Sequence, residues 1–465
     1  MRIGFAALGL CVIGCAPADD ARAQWLRHTL VLDNQVFLER EPELTAGKFA
    51  LMGEQLYPFF RGTAPQYARD TLVPGGPGYH PSTFTTAENR DVLLVGDPHP
   101  ENIGTFRRPD GTMVVEFNDF DASTYGPFTF DLRRLALGFW VAGIDADVME
   151  VDRRGAVEAL VVAYVEAVTS DGPGGAEPAG VIVEELLTEA LERGAGLEKL
   201  EDYTVLDGES RAMFEGDVEP ARLVSFGDAT QLIVEDSVRA PNEEQRTRVR
   251  ALVETYRERA EVSGEVLGIS RRYGAGVSSY PQERFYVLLG GPTDDPDDDV
   301  LLEAKETVDP VRLPGLESLP GWSAHSNGER VVAFQRELQG HRDDDPHLGW
   351  ATTGGRSFRF RHRTAYQRGF RVSRLAEKLA EGSWRAADFV AFAAFAGALL
   401  GRSHARARTQ RGTSAQAEIA DAVAGRADAL VAETMTFVAA YAPTVIEDVG
   451  RLATLLETHG MTLGY

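Results

Sequence analysis

Residues 92–95 (Val-Leu-Leu-Val) form a short apolar run that stops on Gly96, and such a run predicts a buried strand. Two further apolar runs, 103–106 and 113–117, flank the turn pair Asp110-Gly111 and read as a β-hairpin. From 130 to 148 the apolar positions recur at helical spacing, which puts Asp131-Leu132-Arg133-Arg134 in a first helical turn. Residues 44–56 also have helical character, and 57–62 form a compact element beside them. The pattern breaks at Asp171-Gly172-Pro173-Gly174-Gly175, a linker, after which 180–262 read as mostly helical. At Ile269 the texture changes again. Arg271-Arg272-Tyr273-Gly274-Ala275-Gly276-Val277-Ser278 is a glycine loop, followed by a strand at 285–289 and an acidic loop at 294–299. A second strand, 300–304, ends on Lys305; a helix at 328–338 and a strand at 357–361 follow. From Val372 the chain is alanine-rich and helical to its end.

Composition narrows the class. The 465 residues are 43% apolar and 25% charged, which suits an ordinary globular chain with room for two lobes. A formal net charge of −24 argues against a nucleic-acid polymer or an anionic membrane face as partner, but leaves room for a local basic pocket around a phosphate. The two cysteines, Cys11 and Cys15, both fall in the first fifteen residues, so the remainder has neither a disulfide framework nor a cysteine zinc site. Met1-Arg2 followed by the apolar run 3–13 reads as an export leader, too short to span a bilayer. Val12-Ile13-Gly14-Cys15 resembles a bacterial lipobox, which makes Cys15 the lipidated N-terminus and 16–20 a tether. A secretory cut after Ala21-Arg22-Ala23 is the runner-up. No later segment reads as a bilayer span, so the expected location is the cell envelope, held by the lipid anchor alone.

The chemistry-bearing residues lie close together. Phosphoryl transfer needs a carboxylate to orient the acceptor, oxygen ligands for Mg²⁺ and cations on the phosphates. In Gly96-Asp97-Pro98-His99-Pro100-Glu101-Asn102, Asp97 precedes Asn102 by the five residues that separate base and metal-binding asparagine in kinase catalytic loops. The hairpin then delivers Asn118-Asp119-Phe120-Asp121, with Asp119 where kinases carry the other metal-binding aspartate. Asp97 is the expected catalytic carboxylate, Asn102 and Asp119 the expected ligands of Mg²⁺, and Asp121 a further metal contact. His99 reads as structural, and Asp131 as a helix cap or loop anchor.

Gly-Asp-x-His-x-x-Asn, a strand ending Asp-Phe-Asp, then Gly126-Pro127 and Asp131-Leu132, together resemble the aminoglycoside and choline kinase pattern. More closely, residues 48–408 resemble the bacterial family called domain of unknown function 2252. That likeness rests on Pro58-Phe59-Phe60-Arg61-Gly62, 96–104, 118–121, Gly126-Pro127, 131–136, the glycine loop with Lys305-Glu306, 330–336 and Ser403-His404-Ala405-Arg406. It implies an α+β, protein-kinase-like, two-lobed fold. Because the glycine loop and its lysine follow Asp97, the fold is expected to be circularly permuted, with a largely helical large lobe. Gly274, Gly276 and Ser278 would cover the phosphates of ATP, and Lys305 would pair with them. Ser279 stands where the family pattern continues with another glycine. Arg61 and His404, which the likeness favours, are further expected phosphate contacts, with Arg330, Arg336 and Arg406 as weaker ones.

The expected organisation is a leader (1–15), a tether and N-terminal segment (16–40), and the catalytic part of the large lobe (41–170). A linker and helical insert (171–262), a β-rich small lobe (263–365) and a C-terminal helical part of the large lobe (366–465) complete it. The function expected is a kinase-like phosphotransferase using Mg²⁺ and ATP, its acceptor a small molecule or a protein. Outside the cytoplasm ATP is scarce, so such an enzyme needs another donor or another reaction. The alternatives are a catalytically silent envelope protein that binds a ligand or partner, and, less well supported, a metal-dependent phosphoester hydrolase.

Overall fold

Among the described residues, helix dominates the first and last parts of the chain and strand the middle. The computed structural model describes residues 20–108, 110–170, 179–194, 197–208, 210–214, 220–234, 237–315, 326–340 and 345–465. The leader, Cys11, Cys15 and the linker at 171–175 lie outside them. Asp20 caps α1 (Ala21–Arg40) by accepting from the Ala23 amide, so 16–40, read as tether and N-terminal segment, hold a 20-residue helix. α2 (Pro42–Glu54), α3 (Leu56–Gly62) and α4 (Ala64–Leu72) follow, with proline in the first turn of α2 and α4. β1 (Val92–Leu94) pairs antiparallel with β4 (Thr124–Gly126), and between them β2 (Ile103–Arg107) and β3 (Met113–Phe117) form the expected hairpin. α5 (Phe128–Asp145) and α6 (Glu150–Thr169) come next.

The region expected to be mostly helical carries two β-hairpins between its helices. α7 (Val181–Gly194) and α8 (Glu198–Tyr203) give way to β5 (Thr204–Asp207) paired with β6 (Ser210–Met213), and to β7 (Pro220–Phe226) paired with β8 (Ala229–Val234). Gly208 and Gly227 both have positive φ at the hairpin turns, in Asp207-Gly208 and Gly227-Asp228. Turn chemistry of that kind outweighs a weak helical period.

β9 (Ser237–Arg239) and α9 (Glu243–Ala260) lead into β10 (Val266–Tyr273), β11 (Arg284–Leu289) and β12 (Val300–Thr307). α10 (Asn327–Leu338), β13 (Gly349–Thr353) and β14 (Arg356–His362) complete this part, and α11 (Val372–Ala380), α12 (Ala386–Arg406), α13 (Ala415–Val423) and α14 (Ala427–His459) close the chain. The middle strands form one antiparallel sheet, ordered β13-β14-β12-β11-β10-β9. Its two faces differ because side chains alternate along each strand. Phe285, Val287, Leu302, Ala304, Phe358 and Phe360 pack against Val249, Leu252, Val253 and Tyr256 of α9. The opposite face carries Arg284, Glu303, Lys305, Arg359 and Arg361, which register places side by side.

The helical part has a core of its own, in which Phe139 of α5 meets Phe389 and Phe392 of α12. α12 lies close on α6: a Cβ at Gly397 would fall 2.0 Å from the Leu160 carbonyl oxygen, so only glycine fits there. By length and composition α12 and α14 are each apolar enough to cross a membrane, contrary to the expectation of no span after the leader. In this fold 61% of the apolar stretch of α12 is buried among other helices. α14 carries a buried aspartate, Asp448, ion-paired to Arg22 of α1.

Candidate functional site

β1 delivers the Asp97 loop, and Gly96 makes its turn. Gly96 has φ +88°, and a Cβ there would lie 2.1 Å from the Ala122 carbonyl oxygen. Asp131, in the first turn of α5, accepts from the amides of Val95 at 2.7 Å and Gly96 at 3.1 Å. It is the loop anchor that its place in the pattern suggested. His404 braces it from behind, with Nε2 3.3 Å from Asp131 and Nδ1 2.9 Å from the Tyr164 hydroxyl. His404 is fully buried in that network and contacts no open surface, so it is a support and not a phosphate contact.

Asp97 accepts from Arg134 Nε at 2.8 Å, and Arg134 also donates to the Phe60 carbonyl with its guanidinium carbon 3.6 Å from the centre of the Phe60 ring. Burial pushes the Asp97 carboxyl above its usual range, against the pull of Arg134 and Arg61. His99 bonds the Tyr57 hydroxyl at 3.3 Å, and burial beside Arg61 and Arg134 holds it well below the ordinary histidine range. It is structural, as expected.

Asn102 departs from its expected role. Its Oδ1 accepts from the amides of Asn118 (3.1 Å) and Asp119 (2.6 Å), while Nδ2 donates to the carbonyls of Asp119 (2.9 Å) and Asp97 (3.4 Å). Two N–H groups on one side and two carbonyls on the other fix the orientation of the amide. Both lone pairs of Oδ1 are therefore engaged by backbone. Asn102 clamps the Asp97 and Asp119 loops together and, in this arrangement, has no oxygen left for a cation.

Lys305 meets the acidic pair. Its ammonium lies 3.0 Å from Asp119 Oδ2 and also contacts Asp121, while its side chain is only 2% exposed. β12 delivers it from 186 residues beyond Asp119. Burial alone would raise the Asp119 carboxyl, but Lys305, Arg359 and Arg361 hold it well below the usual range. The Asp119 side chain remains 44% exposed, so solvent reaches the pair from one side. Glu337 of α10 accepts from the Arg408 amide.

Arg61, Ser278 and the glycine loop converge on the other side of Asp97. Arg61 donates to Glu101 at 2.5 Å, and Glu101 in turn accepts from the Val372 amide. Burial works against the charge of Arg61, yet Glu101, Tyr57, Asp97 and Asp119 together raise its pKa. Ser278 donates its hydroxyl proton to the Arg61 carbonyl at 2.5 Å, which latches the loop of Gly274 (φ +73°) and Gly276 (φ +78°) onto the end of α3. The weaker arginine candidates have structural partners. Arg330 is buried and donates to the carbonyls of Ser123, Asp121 and Val308, and burial brings it down to about 10. Arg336 donates to the Leu348 carbonyl and Arg406 to that of Leu338.

Sequence reasoning passed over Glu101, Arg134 and Glu303. Arg134 lies one helical turn after Asp131, a spacing that puts both on the loop-facing side of α5. Glu303 is fully buried, and Arg361 (2.8 Å), Arg284 (3.3 Å), Arg272 (3.5 Å) and Arg359 (3.5 Å) all pair with it. Burial would raise its carboxyl, and the guanidinium groups instead hold it well below the usual range. A signal was present: Arg359-Phe360-Arg361-His362-Arg363 alternates charge with ring, as a strand does when one face is apolar and the other paired.

For a metal ion, the donor set fits in part. Asp121 Oδ1 is buried without a hydrogen-bond donor, and the Asp119 carboxylate beside it is half open to solvent. These hard oxygens suit a divalent cation such as Mg²⁺, whereas Asn102 does not contribute. Among the described residues no group of three or more His, Cys, Asp or Glu is placed to hold a metal.

A family model described as "Uncharacterized protein conserved in bacteria (DUF2252)" matches residues 40–453, and the chain belongs to that family. Comparisons with curated proteins and with solved structures returned no match.

Proposed function

We propose that the cleft between the Asp97 loop and β12 is a phosphoryl-transfer site, in a kinase-like two-lobed fold whose β-rich lobe follows the catalytic loop in sequence. The observation that carries this reading is Lys305, brought by a distant strand into contact with both Asp119 and Asp121. A strand lysine facing a loop aspartate across a cleft is the pairing that kinases use on the phosphates and their metal. Asp97, one loop away, is placed to accept the proton of an acceptor hydroxyl, and its raised pKa brings it nearer to that task. Asp119 and Asp121 would hold Mg²⁺, which when bound supplies charge neutralisation on the phosphates. Their release of Lys305 would free its ammonium for the same phosphates. Gly274 and Gly276 allow the loop backbone to approach a phosphate closely, and Arg61 lies beside it. The acceptor, small molecule or protein, is left open.

Titration of the protein with ATP and Mg²⁺, repeated with Asp119→Ala, tests this. Saturable binding that the variant loses supports the reading. Absence of nucleotide binding at any concentration moves the case to a silent ligand-binding protein, a reading favoured by the engagement of Asn102 with backbone alone.

An envelope location with lipidation at Cys15 belongs to the same proposal, and Arg22 bears on where the leader is cut. Arg22 bridges Asp70 (2.6 Å) and Asp448 (2.5 Å), two carboxylates at most 3% exposed. A cut after Ala23 would strip that cation and leave Asp70 to the Tyr441 hydroxyl and Asp448 to Arg451, at a cost of about 2 kcal/mol. Cleavage before Cys15 keeps it. Mass spectrometry of the mature N-terminus should find Arg22 retained, and Cys15→Ser should release the protein from membranes; a mature chain that begins at Gln24 would reverse this choice.

A further inference from the structure

Among the described residues, the sheet face behind Lys305 holds more cations than carboxylates. Arg284, Arg359 and Arg361 share the carboxylate of Glu303, and Arg363 continues the same face of β14 through the bond of its amide to the Leu301 carbonyl. With Lys305 these are five cations, and the described carboxylates within their field are four, Glu303, Asp119, Asp121 and Asp345. This imbalance occurs in a chain whose net charge is −24, so it is local and not a property of the whole surface.

The hydrogen-bond pattern agrees with the charge count. Arg359 is 1% exposed, yet its Nε and Nη1 have no acceptor; Arg363 Nε and the Tyr286 hydroxyl on the same face have none either. Guanidinium groups are rarely buried with unmet donors, because each unmet N–H forgoes its hydration without replacement. What the face lacks is a multivalent oxygen acceptor bearing negative charge. It borders the exposed Asp119 carboxylate, and there Arg361 donates to the Asn118 carbonyl at 3.2 Å.

We infer that the face formed by Arg359, Arg361, Arg363 and Tyr286, entered past Asp119, is an oxyanion site that takes a phosphate of a ligand carrying at least two linked phosphates. The inference rests on the phosphotransferase reading for its ligand class and deepens it. Lys305 and the metal-binding carboxylates would address one phosphate and the arginine face the next. Guanidinium forks match phosphate oxygens in geometry as well as charge. The shared chemistry is a condensed phosphate, whether it belongs to a nucleotide or is inorganic.

Sodium pyrophosphate is the probe, used on the full mature protein in EDTA and compared with sodium chloride at equal ionic strength. Calorimetry should show saturable binding, and the thermal midpoint should rise with pyrophosphate well beyond the chloride control, since a ligand bound by the native state stabilises it. Arg359→Gln should weaken binding by roughly tenfold or more, the loss expected for a charged hydrogen bond. If circular dichroism shows that variant unfolded, Arg363→Gln takes its place. Asp119→Asn should move the other way, strengthening metal-free pyrophosphate binding by removing a like charge while abolishing any binding of ATP with Mg²⁺. A pyrophosphate response no larger than that of chloride overturns the inference even if ATP with Mg²⁺ binds. So does pyrophosphate binding that neither arginine variant weakens. ADP that binds more tightly than pyrophosphate, with the same dependence on Arg359, supports the inference and assigns the phosphates to a nucleotide; equal affinities support it with an inorganic condensed phosphate.

Discussion

The two sides of the cleft are held by different means. The Asp97 side is built from backbone hydrogen bonds: Asp131 holds the amides of Val95 and Gly96, and Asn102 holds the loops of Asp97 and Asp119 together. The sheet side is built from charge, with Lys305 between Asp119 and Asp121 and four arginines around Glu303. Backbone bonds fix geometry and are indifferent to what occupies the cleft. Charge pairs can be exchanged for a charged ligand. On the proposed reading the first side is the rigid template, and the second the side that would respond to binding.

Removal of the clamp is the most severe test of that division. Asn102→Ala deletes hydrogen bonds to two amides and two carbonyls, of which the shortest is 2.6 Å. Orphaned buried backbone groups make the expected loss about 3 kcal/mol, read as a lower urea midpoint at unchanged slope. A loss under about 1 kcal/mol would mean that the loops hold themselves, and the rigid template would have another source.

Lys305→Met is the matching test on the charged side. It leaves Asp119 and Asp121 facing each other with no ammonium between them. A fully buried pair broken this way costs several kcal/mol, but Asp119 is 44% exposed, and solvent screening reduces the expected loss to about 2 kcal/mol. Added Mg²⁺ should recover part of that stability in the variant, because the two carboxylates then compete for a cation without the lysine. Thermal melts with and without Mg²⁺ measure this, and equal melts would argue against a cation site at the acidic pair.

Much of the rigid side was legible in the sequence, because its residues lie near one another along the chain. Strand, loop, hairpin and second aspartate stand in order, and Asp97, Asn102 and Asp119 meet as their spacing suggests. Spacing does not reveal where an amide oxygen points, so Asn102 was read as a ligand when its oxygen faces two backbone N–H groups. The charged side was legible only in part. Lys305 announced itself as a lysine at a strand end beside a glycine loop. The arginine face did not, because the alternation in 359–363 shows that one face is charged without showing that β12 brings Glu303 and Lys305 beside it. Strand neighbours are long-range facts, and in this sheet β12 pairs with β14 across an intervening helix and the edge strand β13. The hairpins at 204–234 were missed for the opposite reason, since their turn glycines are local signals that a search for helical period overlooks.

Asp119 and Asp97 should respond to acid with opposite signs. Asp119 has a folded-state pKa held below its unfolded value by Lys305 and the arginines. Its contribution is therefore present above the ordinary carboxylate value of about 3.9 and is lost as pH falls toward the folded value. Asp119→Asn should cost up to about 1 kcal/mol at pH 7 after allowance for solvent screening, with the difference from the parent shrinking below about pH 4. Urea titrations at several pH values measure it, and a pH-independent difference would mean that the Lys305 pairing is not what lowers Asp119.

The smallest expected effect is the most telling about function. Asp97 is raised by burial, so the native carboxyl binds its proton more tightly than the unfolded one. Between the ordinary value of about 3.9 and the folded value the native state carries more protons, and stability falls as pH rises through that window. Above the window the cost is fully present. Asp97→Asn keeps an acceptor for Arg134 Nε and removes the cost, so it should stabilise the protein at neutral pH by some tenths of a kcal/mol. On the proposed reading, the charge kept at that cost acts on a substrate. If Asp97→Asn instead destabilises at pH 7 by about 1 kcal/mol or more, its pairing with Arg134 is structural, and Asp97 joins Asn102 and Asp131 as part of the template instead of standing apart from it as the reacting group.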